Sequence, residues 1–488
     1  MFQMFGPLCL SFALAASPSH TAGVHLAPHA VLDQDGARAQ AAPREAAAPR
    51  RDRVDAGEAA AQAGDDVVTF DELDRLLLDR HAFGPASEDA LTFLVQNALI
   101  AHLAAEAGVV VTTEQVEARW AELDRVTREQ GLEGGLEGYR QEKGVERADF
   151  LRALENQLRL AELTRRALGL PADQPVPEYD QQIWLEQQVG SQELVRLPRP
   201  WEDGVVARLG EIEVRAKDLA LRLRDAIGPR EVRDALFQLL LLRRVEVACA
   251  KYPKSAREAA VDLEVARRRS EASSNPAYKG VDFDALLRAQ GLDPQTFRND
   301  PAIRIAALST LYIDTEYAGD RLRAAYDAEK KWFDDRFGES VDAYLVFVVT
   351  SEEPDALVPF TRASARARLA DIAKTVDSEP AFAATAAQLG QDQDNGIVAS
   401  GLGPVHREDM RLDAELRSKV YELYDAGVRG TSEPVELSTG VGLFYIGTHR
   451  PTPNFEGMRD AVHKELRRRF LVDLLPIEQL ATYLDQPQ

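Results

Sequence analysis

The chain has 488 residues, 45% of them hydrophobic, and carries a formal net charge of −22. That length exceeds what one core organises and points to roughly two to four domains. The acid excess argues against nucleic-acid binding, which rests on clustered Lys and Arg, and mainly favours solubility.

In chain order, residues 1–16 read as a signal peptide. MFQMFGPLCLSFALAA is a short apolar run, and Ala13-Leu14-Ala15 fits a signal-peptidase site. The run is too short for a retained transmembrane helix. No Lys or Arg precedes it, which leaves a misplaced start codon as the alternative. Cys9 follows Leu8, a poor lipoprotein site, and is expected to leave with the signal. Cys249 is then the one cysteine of the mature chain, and no internal disulfide is expected. Residues 17–64, rich in Ala, Pro, Arg, Asp and Gly, read as a disordered linker. His20, His25 and His29 lie there at loose spacing and make no expected metal site.

A helical unit then occurs twice. The first copy (65–170) opens at VVTFDEL, runs through ALTFLVQNALIAHLAAEAG and closes with LEGYRQEKGVERADFLRALENQLRL. The second (205–336) opens at VARLGEIEVRAKDL, runs through DALFQLLLLRRVEVACAK and closes with FDALLRAQGLDPQTFRNDPAIRI. Leu73 and Leu219, Leu94 and Leu239, Gly144 and Gly291, and Phe150 and Phe297 pair at a nearly constant offset, the mark of a duplication. Residues 171–204, with PADQPVPEYD and LPRPWEDG, read as a linker. Arg243 and Arg244 interrupt FQLLLL, so that run does not span a membrane. Cys249 lies on the same helix and reads as an inert buried thiol.

The stretch 337–454 follows a helix over AGDRLRAAYDAEKKWFDDRFG. Val341, Ala343, Leu345, Phe347 and Val349 alternate as in a strand; ARLADIAKTV and FAATAAQLG read as helices; DQDNG and SGLGP make a loop; GVGLFYIGT is a second β-rich run. Residues 455–488 read as an amphipathic C-terminal helix with Met458, Val462, Leu466 and Phe470 on one stripe, expected to fold back on the first helical copy.

These motifs resemble those of a known family. Leu99-Ile100, Leu103, Glu106-Ala107, Gly108 to Thr113, and Gly144 to Asp149-Phe150 match the N-terminal helical module of SurA- and PrsA-like envelope foldases. The order over 337–454 resembles a parvulin-type (PpiC-type) prolyl isomerase domain. Phe382-Ala383-Ala384-Thr385-Ala386, the loop Ala399-Ser400-Gly401-Leu402-Gly403, Met410 and Gly430 to Val435 carry the likeness. The resemblance implies a mostly helical α+β fold: two SurA-N-like modules plus a small parvulin-like domain with an antiparallel sheet. It also implies site residues. Leu402 and Met410 would line a proline pocket, Asp392 takes the place of the Cys or Asp that faces the amide, and Thr439 takes that of a hydroxyl.

The chain departs from the pattern at three positions. Leu345 and Gly442 stand where the family carries histidines, and Ala414 where it carries a pocket phenylalanine. Rotation about an X-Pro bond needs no cofactor or metal, only a site that favours the twisted amide against a barrier of roughly 20 kcal/mol. His406 is the histidine nearest the pocket in sequence and reads as a loop residue.

The resemblance therefore implies an exported, periplasmic or envelope folding factor that binds unfolded or proline-containing polypeptides, with weak or absent isomerase activity. The alternative is an active peptidyl-prolyl isomerase, and a scaffold without clients is a third reading. No nucleotide-binding loop, zinc-protease or serine-hydrolase motif competes. Client identity and oligomeric state are not readable from the sequence.

Overall fold

The structure, a computed structural model, describes residues 59–142, 145, 147–353, 358–376, 378–390, 396–409 and 411–484. The expected signal peptide and tether residues 17–58 lie outside these, as do Gly144, Asp392 and Met410. The described chain is mostly helical with small sheets whose strands all pair antiparallel, the α+β class expected. No helix among the described residues is long and apolar enough to cross a membrane. The chain forms two compact units: one takes the described residues through Leu308 and those from Leu471 onward, the other Ser309–Phe470.

The first unit opens with a hairpin, β1 (Ala59–Ala63) and β2 (Asp66–Thr69). This corrects the tether boundary, because residues 59–63 are a buried strand. Alanine is a poor strand former, but here its small side chain fits a crowded place: Ala60, Ala61 and Ala63 are fully buried. Helix α1 (Phe70–His81) starts at a capping box in which Thr69 Oγ1 accepts from Glu72 N at 3.3 Å and Glu72 Oε2 accepts from Thr69 N at 2.9 Å. Then follow α2 (Pro85–Glu106), α3 (Thr113–Glu129), α4 (Gly135–Glu142) and α5 (Arg147–Ala167). The expected linker 171–204 holds regular structure, a second correction: α6 (Glu178–Gly190) and β3 (Leu194–Arg196). Its prolines cluster at 171–177 and 198–200, outside both elements.

The same element order then runs again: hairpin β4 (Val205–Leu209) and β5 (Ile212–Arg215), α7 (Ala216–Ile227), α8 (Pro229–Ala248), α9 (Lys254–Ser274) and α10 (Phe283–Ala289). The last helix of this run is broken by Pro301 into α11 (Pro294–Asn299) and α12 (Pro301–Glu316). Although 205–336 was expected as one module, the compact unit closes at Leu308.

The long helices are exchanged. The buried face of α2, with Leu91, Val95 and Leu99, packs on Val206, Leu209, Val214, Leu219 and Leu223 of the second hairpin and α7. Conversely α8 lies along β1, β2 and α1. Arg243 donates to the Val67 carbonyl and pairs with Glu72, while Arg244 pairs with Asp66 at 2.9 Å and donates to the Ala63 carbonyl at 2.7 Å. Each fully buried leucine in such a core contributes roughly 1.5–3 kcal/mol, so this exchange carries much of the unit's stability. The buried Arg80–Asp300 pair, at 2.7 and 2.9 Å with Gln238 Oε1 accepting a further bond, reinforces it. Each run also keeps a local cluster. Phe150 meets Trp120 edge-on at 5.3 Å, and Phe297 meets Phe283 edge-on at 5.6 Å. Gly291, just beyond α10, lets the second run approach the first: its φ is +77°, and a Cβ there would lie 2.6 Å from the Phe83 carbonyl carbon.

In the second unit, α13 (Arg321–Ala328), α14 (Lys330–Phe333) and a π-helical turn at 334–338 lead into β6 (Ser340–Val349). After it come α15 (Arg362–Ala373), α16 (Glu379–Gly390), β7 (Ile397–His406), α17 (Ala414–Asp425), β8 (Gly430–Thr431), β9 (Val435–Leu437) and β10 (Gly440–Arg450). The sheet order is β7-β6-β10-β8, with β9 also on β10. Its faces follow the alternation read from sequence. Val346 and Val348 face α15 and α16 with Leu369, Ile372 and Phe382; Val341, Ala343 and Leu345 face α17 with Val420 and Tyr421.

Helix α18 (Phe455–Leu474) carries the apolar stripe. Met458, Val462 and Leu466 pack on Ile313, Leu322, Tyr326 and Phe333, and Phe470 stacks on Tyr312 at 4.0 Å. The stripe is thus covered by the helices preceding the sheet, not by the first helical copy as expected. The first copy is reached further on, where β11 (Ala481–Thr482) pairs with β1 through Ala61↔Thr482 and Gln62↔Ala481.

Candidate functional site

The α17-facing side of the second unit's sheet is where the sequence places its site. Register brings the two critical positions together: Leu345 pairs across to Phe444 and Gly442 to Phe347, so both lie on that face of neighbouring strands. A Cβ built on Gly442 would stand 3.1 Å from Leu345 Cδ1 and 3.0 Å from Leu437 Cδ1. The leucine side chains fill the space a residue at 442 would need. Leu345 is itself buried, within a cluster of Val341, Phe444, Ile446 and Leu437.

Leu402 lies on β7 at an irregularity in its pairing with β6 and packs, half-buried, against the same cluster. Thr439 is not part of it. It sits exposed in the turn between β9 and β10, where its carbonyl accepts from Thr350 N at 3.3 Å. Of the expected site residues, then, the fold brings Leu402 to the Leu345–Gly442 face and leaves Thr439 at the sheet's end.

His406 is the last residue of β7 and not a loop residue. It is opposite Ser340, five residues along β6 from Leu345, a separation of roughly 16 Å at ~3.3 Å per residue. Its Nδ1 faces the Glu339 carbonyl at 3.1 Å, and burial pushes its pKa below the ordinary histidine value. Around it lies a polar group that the sequence reading missed. Glu339 accepts from Arg407 Nε at 2.8 Å and meets His449 Nε2 at 3.0 Å, while Tyr421 OH donates to the carbonyls of Val405 at 3.0 Å and Glu339 at 3.3 Å. The Arg407 bond, helped by His449, holds the Glu339 carboxyl below its ordinary range, and burial drives the Tyr421 phenol up. Glu339 and His449 are 110 residues apart, which is why no local pattern announced them. Their partners are mutually satisfied, as in a structural ion-pair network.

Tyr421, which packs on this face, spends its hydroxyl on the Val405 and Glu339 carbonyls, and Ser432 beside β10 is likewise engaged. It accepts from Phe444 N at 3.1 Å and donates to the Glu433 carbonyl at 2.7 Å, so it is spent on backbone. Around Leu345 and Gly442 the described packing is apolar. Leu345 and Gly442 themselves offer no side-chain proton donor or acceptor. In the first unit, Cys249 is buried with Sγ 3.5 Å from the Leu308 carbonyl, and burial pushes its thiol up to about 11.

No family model matches the chain, and no curated protein does. Among solved structures it is similar to the peptidylprolyl isomerase PrsA of Bacillus anthracis, at 16% identity over 50% of this chain and 91% of that one, with a TM-score of 0.22. The foldase PrsA of Streptococcus pneumoniae matches at 13% identity over 56% and 92%, TM-score 0.25. A SurA-like chaperone of Campylobacter jejuni matches at 12% identity over 47% and 84%, TM-score 0.20. The solved structures that this chain is similar to thus include PrsA foldases and a SurA-like chaperone.

Proposed function

We propose that the protein is an exported folding factor that binds unfolded envelope or secreted polypeptides, with weak or absent proline isomerisation. One observation carries the second half of this reading: Leu345 and Gly442, the positions where the resemblance places imidazoles, meet on one face and are closed by leucine carbon. General polar assistance is typically worth about 10²–10⁴-fold, and neither side chain supplies it. Asp392, Leu402, Met410 and Thr439 stay as the residues that would contact a proline-bearing segment. A duplicated helical module from residue 59 to about 316 is part of the proposal, supported by the recurrence of hairpin, first helix and long helix at a spacing near that of the sequence landmarks. Export rests on the apolar run at residues 1–16.

The test pairs two measurements on the full chain: cis–trans isomerisation of a proline tetrapeptide series, and suppression of aggregation of an unfolded client. The expected result is suppression with isomerisation near the uncatalysed rate, unchanged in Asp392→Ala. Catalysis equal to that of an intact parvulin and abolished by Asp392→Ala establishes the active isomerase instead, with Asp392 catalytic.

A further inference from the structure

Two small sheets of the first unit are completed in the same way by unrelated stretches of chain. In one, β3 adds to the outer edge of β4; in the other, β11 adds to the outer edge of β1. Val195 and Arg196 stand opposite Arg208 and Ala207, and Ala481 and Thr482 stand opposite Gln62 and Ala61. Arg208 and Ala207 follow Gln62 and Ala61 at the spacing that separates Leu219 from Leu73, so the two added strands hold one register. The bond after each strand matches as well: Leu197 N donates to the Val206 carbonyl at 2.9 Å, and Tyr483 N to the Ala60 carbonyl at 3.0 Å. Burial agrees too, since Leu194 and Arg196 are half-buried around an exposed Val195, and Leu480 and Thr482 around an exposed Ala481. Leu-Val-Arg and Leu-Ala-Thr share only the leucine. An edge geometry that seats both reads main chain and one apolar position, not a particular sequence.

The two sheets differ in how tightly the added strand is held. β3 makes three ladder pairs, the third being Leu194 with Leu209. β11 makes two, and the residue of β1 in the place of Leu209 is Ala63. Where β4 carries Val205, Val206 and Leu209, β1 carries Ala59, Ala60 and Ala63, so side chains add little to the hold on β11. Beyond the ladder, the Tyr483 hydroxyl donates to Gln62 Oε1 at 3.2 Å. Arg244 anchors the chain just before the strand, donating to the Leu474 carbonyl at 2.6 Å and to Gln479 Oε1 at 3.4 Å.

We propose that the outer edge of β1 takes an extended segment of a client polypeptide in place of β11, so that β11 is a removable strap over a strand-binding edge. This role rests on the folding-factor reading and deepens it: a client is paired along its main chain, with an apolar residue where Leu480 stands and any residue where the exposed Ala481 stands. Four of the five residues of β1 are alanine, which sets no side-chain pattern against one client or another.

The test locks the strap. Gln62→Cys with Ala481→Cys, made in the full chain with Cys9→Ser, places thiols on paired residues that a disulfide can bridge, while Cys249 stays buried. The probe is a dye-labelled peptide of residues 478–484, read by fluorescence anisotropy on the oxidised and the reduced protein. The reduced form is expected to bind at least about tenfold more tightly than the oxidised one. N-methylation of the peptide at Tyr483, which removes the donor to Ala60, is expected to weaken binding at least about threefold. Equal binding by the two forms, an N-methylated peptide that binds as well as its parent, or binding only by a chain truncated after Gln479 overturns the removable strap. Client-aggregation suppression, measured on both forms, separates the two readings. Suppression untouched by the lock, with no peptide binding, sinks the strap alone; peptide binding abolished by the lock, with no suppression by either form, keeps the strap and sinks the folding factor.

Discussion

The Leu345–Gly442 face and the cleft that α1 and α7 form beside Arg199 in the first unit are opposites in how they spend side chains. On the first, two strands and α17 close over leucine, phenylalanine and a glycine whose Cβ position is crowded by Leu345, Leu437 and Phe444 carbons at 3.0–3.1 Å. The second stays open and keeps several carboxylates and cations at partial burial, where each must be paired or pay for desolvation. The sheet face packs carbon on carbon, whereas the helical region pairs its charges, Asp79 with Arg199 and Asp74 with Arg224.

Breaking the buried ion pair of the first unit should cost most. Asp300→Ala leaves Arg80 buried without its carboxylate and removes the acceptor for Ala302 N, so a loss of about 3–5 kcal/mol is expected in urea unfolding of the first unit. A loss below ~1 kcal/mol would mean that Arg80 finds water or another acceptor. The apolar side is tested by Gly442→His, which pushes an imidazole against Leu345, Leu437 and Phe444. The expected cost is about 1–3 kcal/mol in the second unit's unfolding, with no gain in isomerisation. A stable variant that catalyses would show that the face re-forms a site when one imidazole returns.

The smallest effect concerns pH. The Glu339 carboxyl is held below its ordinary 4.5, chiefly by Arg407. A lowered acid contributes stability above that ordinary value and loses it as pH falls through the folded one. Glu339→Gln should therefore cost under about 1 kcal/mol at pH ~7 and make the second unit less sensitive to acid between pH ~5 and ~3. An unchanged acid response would remove Glu339 from the account.

The sequence disclosed what is local. The alternation through Leu345 gave β6 and its two faces, and Phe150 and Phe297 take equivalent edge-on aromatic contacts in the two helical runs. Long-range pairing stayed hidden. Periodicity marks the apolar stripe of α2 but cannot say that its partner is the second hairpin. AAAQA at 59–63 reads as tether because its burial depends on β2 and on two residues more than 400 positions away. The stripe of α18 was likewise visible, its partner not. At the candidate site, the loss of both imidazoles was legible, yet that leucine fills the gap, and that the ionisable groups gather instead at Glu339, needed the register of three strands.

The exchange of α2 and α8 imposes an order on how the chain can mature. The first hairpin and α1 leave the ribosome well before α8, their packing partner at 229–248, exists, and β1 waits for residues 481–482 to complete its sheet. Through that interval the hairpin has α1 beside it but not α8, and distant pairings of this kind close slowly. The first unit can therefore close only after the chain's last described residues have been made.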